Sequence, residues 1–588
     1  MIAGRRKLSF ARAMPSFPLL GKELLEIASR RRTYVIRVVL ALLLLVAFAI
    51  AYQQELGDGD PLFDMIGKGG FLCLRLFECL FIGVCVFMPA MTAGVITVEK
   101  EQGSLVLLLL TPMSPFGLVL QKCLGRVLST MAILMLALPL FSIAYAYGGL
   151  DVETLFLFIY VLILTCLQLA ALSIAVSAWC RTSTGAFCLT YILEAVLYMG
   201  PYLMEQLSYS FYQSSSGGIH FWKLASGIFP LQAFRQQFGR TLSFDLDFVC
   251  DVLTTSLPAL LSIPVFLLLA RLFIVRRADL SGSNPFLRLF RFLDATFQRL
   301  DARIGRTSSL ELPLMNPVAW RELNRRSLSN WRYLVRLFVP VYSVAILAMV
   351  LFSVNVDREW ADTLQSMAYY AVLASGTLAL MALGAGLIAG ERTHQTLDVL
   401  LTTPISPRQI LTQKASALRR IQGALLALVL LTIWFDYYMG HMDATRCLVR
   451  AAAAVVFLPC FTWIAIICGI VSPRRNQAMI AVVIISMIWL AGVPLLLSGL
   501  ESIFGDHRNY YYYNDYYGRE ETFFHALQAS SPVGLLLMND DHEFRVAWGM
   551  ELGVPFVALS GYLVLWMCLR ATARDLAGRF LRRSVSHG

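Results

Sequence analysis

Charged residues are scarce in this sequence. Asp, Glu, Lys and Arg together make up 15% of its 588 residues, whereas hydrophobic residues make up 58%. The mean hydropathy is +0.66, and soluble domains are usually about 25% charged. This composition excludes a large soluble enzyme and indicates an integral membrane protein.

The sequence also lacks the short motifs of several protein classes. No C-x-x-C occurs, and most of the twelve cysteines lie within apolar runs, where cysteine usually behaves as a small hydrophobic residue. The phosphate-binding motif G-x-x-x-x-G-K-[ST] is absent, so we do not expect the chain to bind ATP itself. Neither H-E-x-x-H nor G-x-S-x-G appears. We therefore expect no catalytic residue, no metal site and no cofactor.

Long apolar runs, by contrast, are abundant. A transmembrane helix needs about 20 mostly apolar residues. The sequence contains twelve such runs, at residues 36–52, 79–98, 127–147, 155–178, 186–204, 250–275, 336–355, 368–390, 421–438, 448–470, 478–498 and 549–571. We predict an all-α polytopic membrane protein with about 12 transmembrane helices.

Basic residues lie mainly in alternate segments between these runs. The segments that carry about three quarters of all Lys and Arg residues are expected in the cytoplasm, because basic loops are retained on that side. Both termini then lie in the cytoplasm. We attribute the net charge of +11 to these segments and to anionic lipid headgroups, and we expect no nucleic-acid partner.

Two similar stretches occur at corresponding places in the two halves of the chain. VEKEQGSLVLLLLTPMSPFGLVLQK begins at Val98, and GERTHQTLDVLLTTPISPRQILTQK begins at Gly390. They align without a gap at an offset of 292 residues. The segments that lead into each half, from Lys22 and from Arg321, align at an offset of 299. The identical positions of the two stretches are Glu99/Glu391, Leu105/Leu397, Leu108/Leu400, Leu109/Leu401, Thr111/Thr403, Pro112/Pro404, Ser114/Ser406, Pro115/Pro407, Gln121/Gln413 and Lys122/Lys414.

The order of the runs and the loop lengths repeat as well. We therefore predict two six-helix repeats that face the same way in the membrane, because six is an even number of crossings. The first repeat comprises residues 1–275 and the second residues 316–588. Residues 276–315 form a linker in which apolar residues recur at helical spacing and arginines occupy the more polar surface. This pattern predicts a basic amphipathic helix on the cytoplasmic leaflet, with membrane lipid as its partner.

Each of the two stretches lies where the second run of its half meets the cytoplasm. Leucines such as Leu105 and Leu108 recur at helical spacing. Pro112 ends this helix, because proline lacks a backbone donor and restricts the residue before it. Ser114-Pro115 is a typical start of the next helix. We predict a short helix, a sharp corner and a new helix that enters the third span. A soluble partner that binds the corner and a simple turn without a partner both remain open.

The order of residues in these stretches is similar to that of a known family. Glutamate, Gly-Ser/Thr-Leu, a leucine run, Thr-Pro-x-Ser and Gln-Lys resemble the ABC transporter permeases of the type-2 exporter family. The resemblance covers nearly the whole chain, once per half. The second stretch departs from the pattern, because His394-Gln395-Thr396 stands where the first has Gln102-Gly103-Ser104. We hypothesise that the second stretch docks differently, or on a different ATPase subunit.

The resemblance implies a permease subunit of an ATP-driven exporter rather than an enzyme. It implies that two copies of a separate ABC ATPase subunit bind ATP, and that one fused chain serves each transporter in the bacterial inner (plasma) membrane. The short helices would be cytoplasmic coupling helices that dock on the ATPase. The candidate coupling residues are Glu99, Gly103, Leu105, Leu108, Thr111, Pro112, Glu391, Leu397, Leu400, Thr403 and Pro404.

Few ionisable residues lie within the apolar runs. Glu194 is a candidate for the substrate path, because intramembrane carboxylates are functional by default; it would face the repeat interface or a polar partner such as Gln168. Asp436 is expected to reach the membrane surface, and Arg75 and Glu78 to pair with each other. The alternative function is a membrane assembly scaffold or a membrane enzyme without transport activity. Paired acids or histidines on facing spans would favour it, and we find none in the sequence.

Overall fold

The computed structural model of the chain describes residues 19–22, 25, 31–56, 67–111, 113–211, 227–231, 246–278, 316–324, 358–393, 395–438, 440, 442–492, 531–532, 535–536 and 553–586. Every regular element in these ranges is a helix. The chain divides into two compact units, one formed by Met1–Glu205 with Ser216–Ala278 and the other by Gln206–Ser215 with Asp279–Gly588. This division does not test the expected boundaries of the two repeats and the linker, which stay predictions.

The first half of the chain contains the helices that we number α1 to α9. Their bounds are α1 Arg31–Leu56, α2 Gly69–Thr92, α3 Val95–Glu101, α4 Ser104–Leu109, α5 Pro115–Leu134, α6 Leu138–Ala146, α7 Val152–Trp179, α8 Ser183–Phe211 and α9 Leu246–Ala278. A 3-10 turn, Met135–Ala137, joins α5 to α6.

The second half contains the helices α10 to α16. Their bounds are α10 Pro317–Asn324, α11 Arg358–Thr393, α12 Leu397–Leu401, α13 Pro407–Tyr438, α14 Ala444–Val471, α15 Arg475–Met487 and α16 Gly553–Ser586. A π-helical turn, Ile488–Gly492, extends α15.

These helices confirm the all-α polytopic fold. Eight helical segments of the described residues are long and apolar enough to cross a membrane, and three shorter apolar helices lie at Ala41–Tyr52, Ser183–Tyr198 and Arg475–Leu490. Together they correspond to eleven of the twelve expected runs. The run at 336–355 and the linker at 276–315 lie outside the described residues. The total of twelve spans therefore stays a prediction.

The helix that contains the second expected run begins earlier than residue 79. Its apolar segment starts at Gly69. Arg75 and Glu78 interrupt the apolar pattern within this added segment, and they form the expected pair at 3.2 Å on the exposed side of α2. Two charges one turn apart lower local hydropathy without ending a helix, which is why the sequence pattern placed the boundary late.

The offset of 292 residues seen in the two stretches also relates the helices that follow them. α7 and α14 match at both ends, and the segment Pro115–Ala146 matches α13, Pro407–Tyr438. One local difference occurs at Pro139, which corresponds to Leu431. Because proline lacks the N–H that continues an α-helix, the third span is interrupted in the first half and continuous in the second.

The fourth span lies at the centre of each unit. In the first unit α7 packs against α2, α5 and α9, and in the second α14 packs against α11, α13, α15 and α16. Both helices bury residues on all faces, as expected for a helix that is apolar all round. In the second unit, glycines allow close approach: a Cβ on Gly469 would lie 2.6 Å from the Ala385 carbonyl oxygen.

The second unit contains a buried ion pair that the sequence did not predict. Arg450 lies 3.2 Å from Asp436, and both side chains are almost fully buried. The guanidinium also donates to Ser366 Oγ at 3.1 Å and stands 4.8 Å from the centre of the Tyr369 ring. The expectation that Asp436 reaches the membrane surface is therefore wrong, because its carboxylate is held inside the unit by Arg450.

We predict that Asp436→Asn destabilises the protein strongly. Removing one member of a buried pair leaves the other charge uncompensated and costs about 3–5 kcal/mol of unfolding free energy. The loss of stability is measured by heating the protein in detergent and monitoring its unfolding by size-exclusion chromatography. Asp575→Asn is the matched control, because the Arg408–Asp575 pair is exposed and such pairs contribute about 0–1 kcal/mol. Equal losses in the two variants would contradict the importance of the buried pair.

Candidate functional site

The two similar stretches form the same structure in both halves. We call residues 99–122 the first elbow and residues 391–414 the second elbow. Each consists of a short helix, α4 or α12, followed by a corner and the start of the third span. Ser114 caps α5 by accepting a hydrogen bond from the Gly117 N–H at 3.0 Å. In the second elbow two reciprocal hydrogen bonds cap α13. The Ser406 hydroxyl oxygen accepts from the Gln409 N–H at 3.3 Å, and the Gln409 side-chain oxygen accepts from the Ser406 N–H at 3.2 Å. The predicted helix, corner and helix start are confirmed.

An ion pair ties the two arms of each elbow together. Lys122 Nζ lies 2.6 Å from Glu99, and Lys414 Nζ lies 2.8 Å from Glu391. The exposed fractions of the side chains are 4% and 20% in the first pair and 1% and 4% in the second. Charges removed from water to this extent are stable only when they are paired. Each pair therefore fixes the end of the second span against the third.

A glutamine beside each lysine connects the elbow to the segment that leads into its half. Gln121 accepts hydrogen bonds from the backbone N–H groups of Leu19 and Leu20, at 3.1 and 3.4 Å. Gln413 accepts one from Val318 at 3.1 Å. Leu19 and Val318 correspond at the offset of 299. Because the first N–H groups of a helix have no partner within it, Gln413 acts as an external cap for α10.

A basic residue connects each elbow to the fourth span, and sequence reasoning missed both of these residues. Lys100 donates to the carbonyl oxygens of Ser177 and Cys180, each at 3.1 Å, and also to that of Ala178. Arg392 donates to the Ser472 carbonyl oxygen at 3.0 Å. Positive side chains here satisfy terminal carbonyl groups and complement the helix dipole. The available signal was a basic residue at both matched positions, Lys100 and Arg392.

The turn before each short helix has the same backbone despite different residues. Gly103 has φ 72° and Gln395 has φ 56°, both left-handed. This conformation is easy for glycine and costs other residues about 1 kcal/mol or more. The second elbow therefore has the same backbone turn although it lacks the glycine. The absence of this glycine does not support the hypothesis that the two elbows dock differently.

The predicted leucines of both elbows face their own unit. Leu397 and Leu400 are buried, and Leu400 packs with Val318 and Ile410. Leu105 and Leu108 are partly buried against the core of the first unit. These four leucines therefore hold the short helices in place, and their neighbours face outward.

Of the remaining predicted coupling residues, Thr111, Thr403 and Pro404 lie around the corner, and Gly103 lies in the turn before α4. The hydroxyl groups of Thr111 and Thr403 each donate to the carbonyl oxygen of the leucine three residues earlier, at 2.6 Å. Gly103 and Pro404 are exposed, and Pro112 lies outside the described residues. The structure thus brings the described candidates of each half into one elbow.

A sequence model of the ABC-2 family transporter protein matches residues 17–353 and 309–516 of this chain. The chain belongs to the ABC-2 transporter family. This membership identifies the ABC-2 protein as a multi-pass membrane protein and a permease component of an ABC transporter rather than an enzyme. It also implies association with ABC ATPase partners. A search of curated proteins found no match.

Glu194 lies apart from the elbows, inside the first unit of this ABC-2 protein. It is buried and hydrogen-bonds the Cys85 thiol, and its Oε2 atom has no hydrogen-bond partner among the described residues. The expected partner, Gln168, has other contacts. Its side-chain oxygen accepts a hydrogen bond from the Tyr198 hydroxyl at 3.0 Å. Its side-chain nitrogen donates to the Ser262 hydroxyl at 2.9 Å and to the Ile228 carbonyl oxygen at 3.0 Å. Among the described residues, no group of His, Cys, Asp and Glu could hold a metal ion.

We predict that the second elbow of the ABC-2 protein depends more on its ion pair than the first. Lys414→Met should lower the free energy of unfolding by about 3 kcal/mol, because it leaves a buried carboxylate without its main partner. Lys122→Met should cost less, since Glu99 is better exposed to water. Thermal unfolding of the purified variants measures both losses.

A double-substitution cycle provides the control for this ion pair. Adding Glu391→Gln to Lys414→Met should recover part of the loss, with a coupling energy of about 1–3 kcal/mol. Additive losses would show that the two groups stabilise the elbow separately.

The left-handed turns generate a second prediction for the ABC-2 protein. Gly103→Gln should cost about 1 kcal/mol, because it places a side chain in the left-handed region. Gln395→Gly should stabilise by less than that, since glycine gains entropy in the unfolded chain. The control is Gln102→Gly, at a right-handed position with φ −86°, which should destabilise. If Gln395→Gly also destabilises, strain at the second turn is excluded. Thermal unfolding measures each shift.

Proposed function

We propose that the chain is the permease subunit of an ATP-driven exporter and that both elbows couple it to ABC ATPase subunits. The ATPase is a separate polypeptide that binds and hydrolyses ATP, and the permease forms the path across the membrane. The observation that carries this proposal is the threefold attachment of each elbow. Each one is fixed to the segment that leads into its half, to the third span and to the end of the fourth span.

This attachment would transmit a displacement of the elbow to the membrane helices. A short helix held only by its two ends could pivot at the corner, and the spans would not follow it. The Glu391–Lys414 pair prevents this pivot between the second and third spans. Arg392 extends the connection to α14, the central helix of its unit. Closure of the ATPase on ATP would therefore move several spans together and alternate access to a central path.

The expected assembly follows from two elbows in one chain. Two equivalent attachment sites suit a two-fold partner, so we propose two ATPase subunits for each fused chain. The elbows and both termini would face the cytoplasm of a bacterium, with the permease in the inner membrane. Basic side chains around both elbows, among them Lys100 and Arg392, support that orientation through the positive-inside rule.

Glu194 is proposed as part of the substrate path in the first unit. A buried carboxylate with one oxygen unpartnered among the described residues is costly in a membrane protein unless it serves a function. Its position beside Cys85, away from the elbow contacts, supports a role in binding cargo rather than in binding the ATPase.

Site-specific photo-crosslinking tests the coupling role. The photoreactive residue p-benzoylphenylalanine, placed at Leu107 or at Val399, should form a covalent adduct with a co-expressed ABC ATPase subunit encoded in the same genome. The same residue at Leu261 is the control, because Leu261 is comparably exposed but lies on α9. Adducts are measured by mass after co-expression in membranes. Adducts at Leu261 but at neither elbow would reject the proposal.

A further inference from the structure

The exposed faces of the two short helices differ at matched positions. In the first elbow Val106, Leu107 and Leu110 are exposed by 63%, 69% and 77%. At the offset of 292 these positions hold Asp398, Val399 and Thr402, which are also exposed. The first elbow thus presents three apolar side chains, whereas the second presents a carboxylate, one valine and a hydroxyl group.

The helix start beyond each corner continues this difference. Phe116 is exposed on α5, and the matched residue on α13 is Arg408, whose guanidinium lies 2.9 Å from Asp575. At four matched positions the first elbow is therefore apolar throughout, while the second is polar or charged at three of them.

The difference concerns the outward side chains and not the frame of the elbow. Both elbows have a left-handed turn before the short helix, an ion pair across the corner and a serine cap after it. The inward leucines are identical in both. Because the backbone and the inner contacts agree, the outward residues are free to differ according to what each elbow binds.

The second elbow indicates that this surface lies in water. Asp398 stands on the exposed side of α12, and a carboxylate in the hydrocarbon region is costly. Its match, Val106, occupies the same place at the corresponding end of its own unit's spans, and Gln102 in the preceding turn is exposed as well. Three neighbouring apolar side chains in water are typical of a protein interaction site.

We propose that the two elbows bind the ATPase unequally. The first elbow is a tight, apolar anchor that is insensitive to salt, and the second is a weaker contact through Asp398 to a basic group of the ATPase. The proposal rests on the coupling function proposed above. It assigns the partner surface as well: the docking site of each ATPase subunit contains an apolar groove, which the side chains of the first elbow fill, and a basic group, which Asp398 of the second elbow contacts.

The physical basis is the different response of the two contacts to water and salt. Apolar side chains that are fully covered at the centre of an interface contribute most of the binding energy. Charged contacts at an interface edge contribute mainly to association rate and specificity, and salt screens them. One ATPase subunit therefore stays on the first elbow, while the contact of the other subunit with the second elbow forms and breaks.

Exchange of the outward residues tests this inequality. The first variant carries Val106→Asp, Leu107→Val and Leu110→Thr, which give the first elbow the outward residues of the second. The reciprocal variant carries Asp398→Val, Val399→Leu and Thr402→Leu. The probe is a purified ABC ATPase subunit encoded in the same genome, the one used for crosslinking. Binding to the permease in lipid nanodiscs is measured at 50 and 500 mM KCl.

The first variant should bind the ATPase about 30-fold or more weakly, which corresponds to about 2 kcal/mol, and its residual binding should fall further at high salt. The reciprocal variant should bind at least as tightly as the unmodified chain and lose most of its salt dependence. Since all six positions are exposed, the substitutions should leave folding intact, which a monodisperse elution profile checks.

The outcomes separate this inference from the coupling function. Equal weakening by the matched single substitutions Leu107→Asp and Val399→Asp would overturn the inequality but leave coupling in place. A failure of the unmodified chain to bind the ATPase at either salt concentration would overturn both. In the variant Leu107→Trp, tryptophan quenching by brominated lipid that exceeds that of the unmodified chain would place the first face in the membrane and overturn the anchor.

Discussion

An ion pair between a glutamate at the end of one span and a lysine in the next, 23 residues later in both halves, determines the shape of each elbow. The second and third spans also pack on each other along their length, but at the elbow this pair is what holds their ends together across the corner. Burial makes the separation of the paired charges costly. The other contacts of the elbow, through Gln413 and Arg392, extend outward from the frame that this pair fixes.

The two halves share this frame but differ in the polar groups inside their units. Where the second unit has Arg450 and Asp436, the first has Phe158 and Ala144 at the offset of 292, and Phe158 stacks on Phe77 with ring centres 4.7 Å apart. Where the first has Gln168, bonded to Tyr198, the second has Cys460. The elbows therefore kept one geometry, while the interiors of the units diverged. This difference is expected if both elbows bind the same kind of partner and the interiors of the two units have different functions.

The sequence alone predicted the elbows because their geometry depends on local signals. Helical leucine spacing, Pro404 and Ser406-Pro407 act within a few residues, and the structure contains the helix, corner and cap that they predict. Arg392 was missed because its partner, the Ser472 carbonyl oxygen, lies on another helix and leaves no local pattern. The buried position of Asp436 was missed for the same reason, since only tertiary packing brings Arg450 to it. Spacing also indicated that the leucines share one face, but not that this face points inward.

Inward leucines and outward variable residues give the two sides of a short helix different tasks. Leu400 packs on Val318 and Ile410, so it joins the helix to its unit whatever partner binds outside. Val399, which directly precedes Leu400, is exposed and can be substituted without disturbing that packing. Because both elbows lie in one chain, they are encoded separately, so their outer faces can diverge while their inner faces stay the same. Two identical permease subunits could not do this, because every substitution would appear in both elbows. Two elbows in one chain therefore make the proposed unequal attachment to the ATPase physically available.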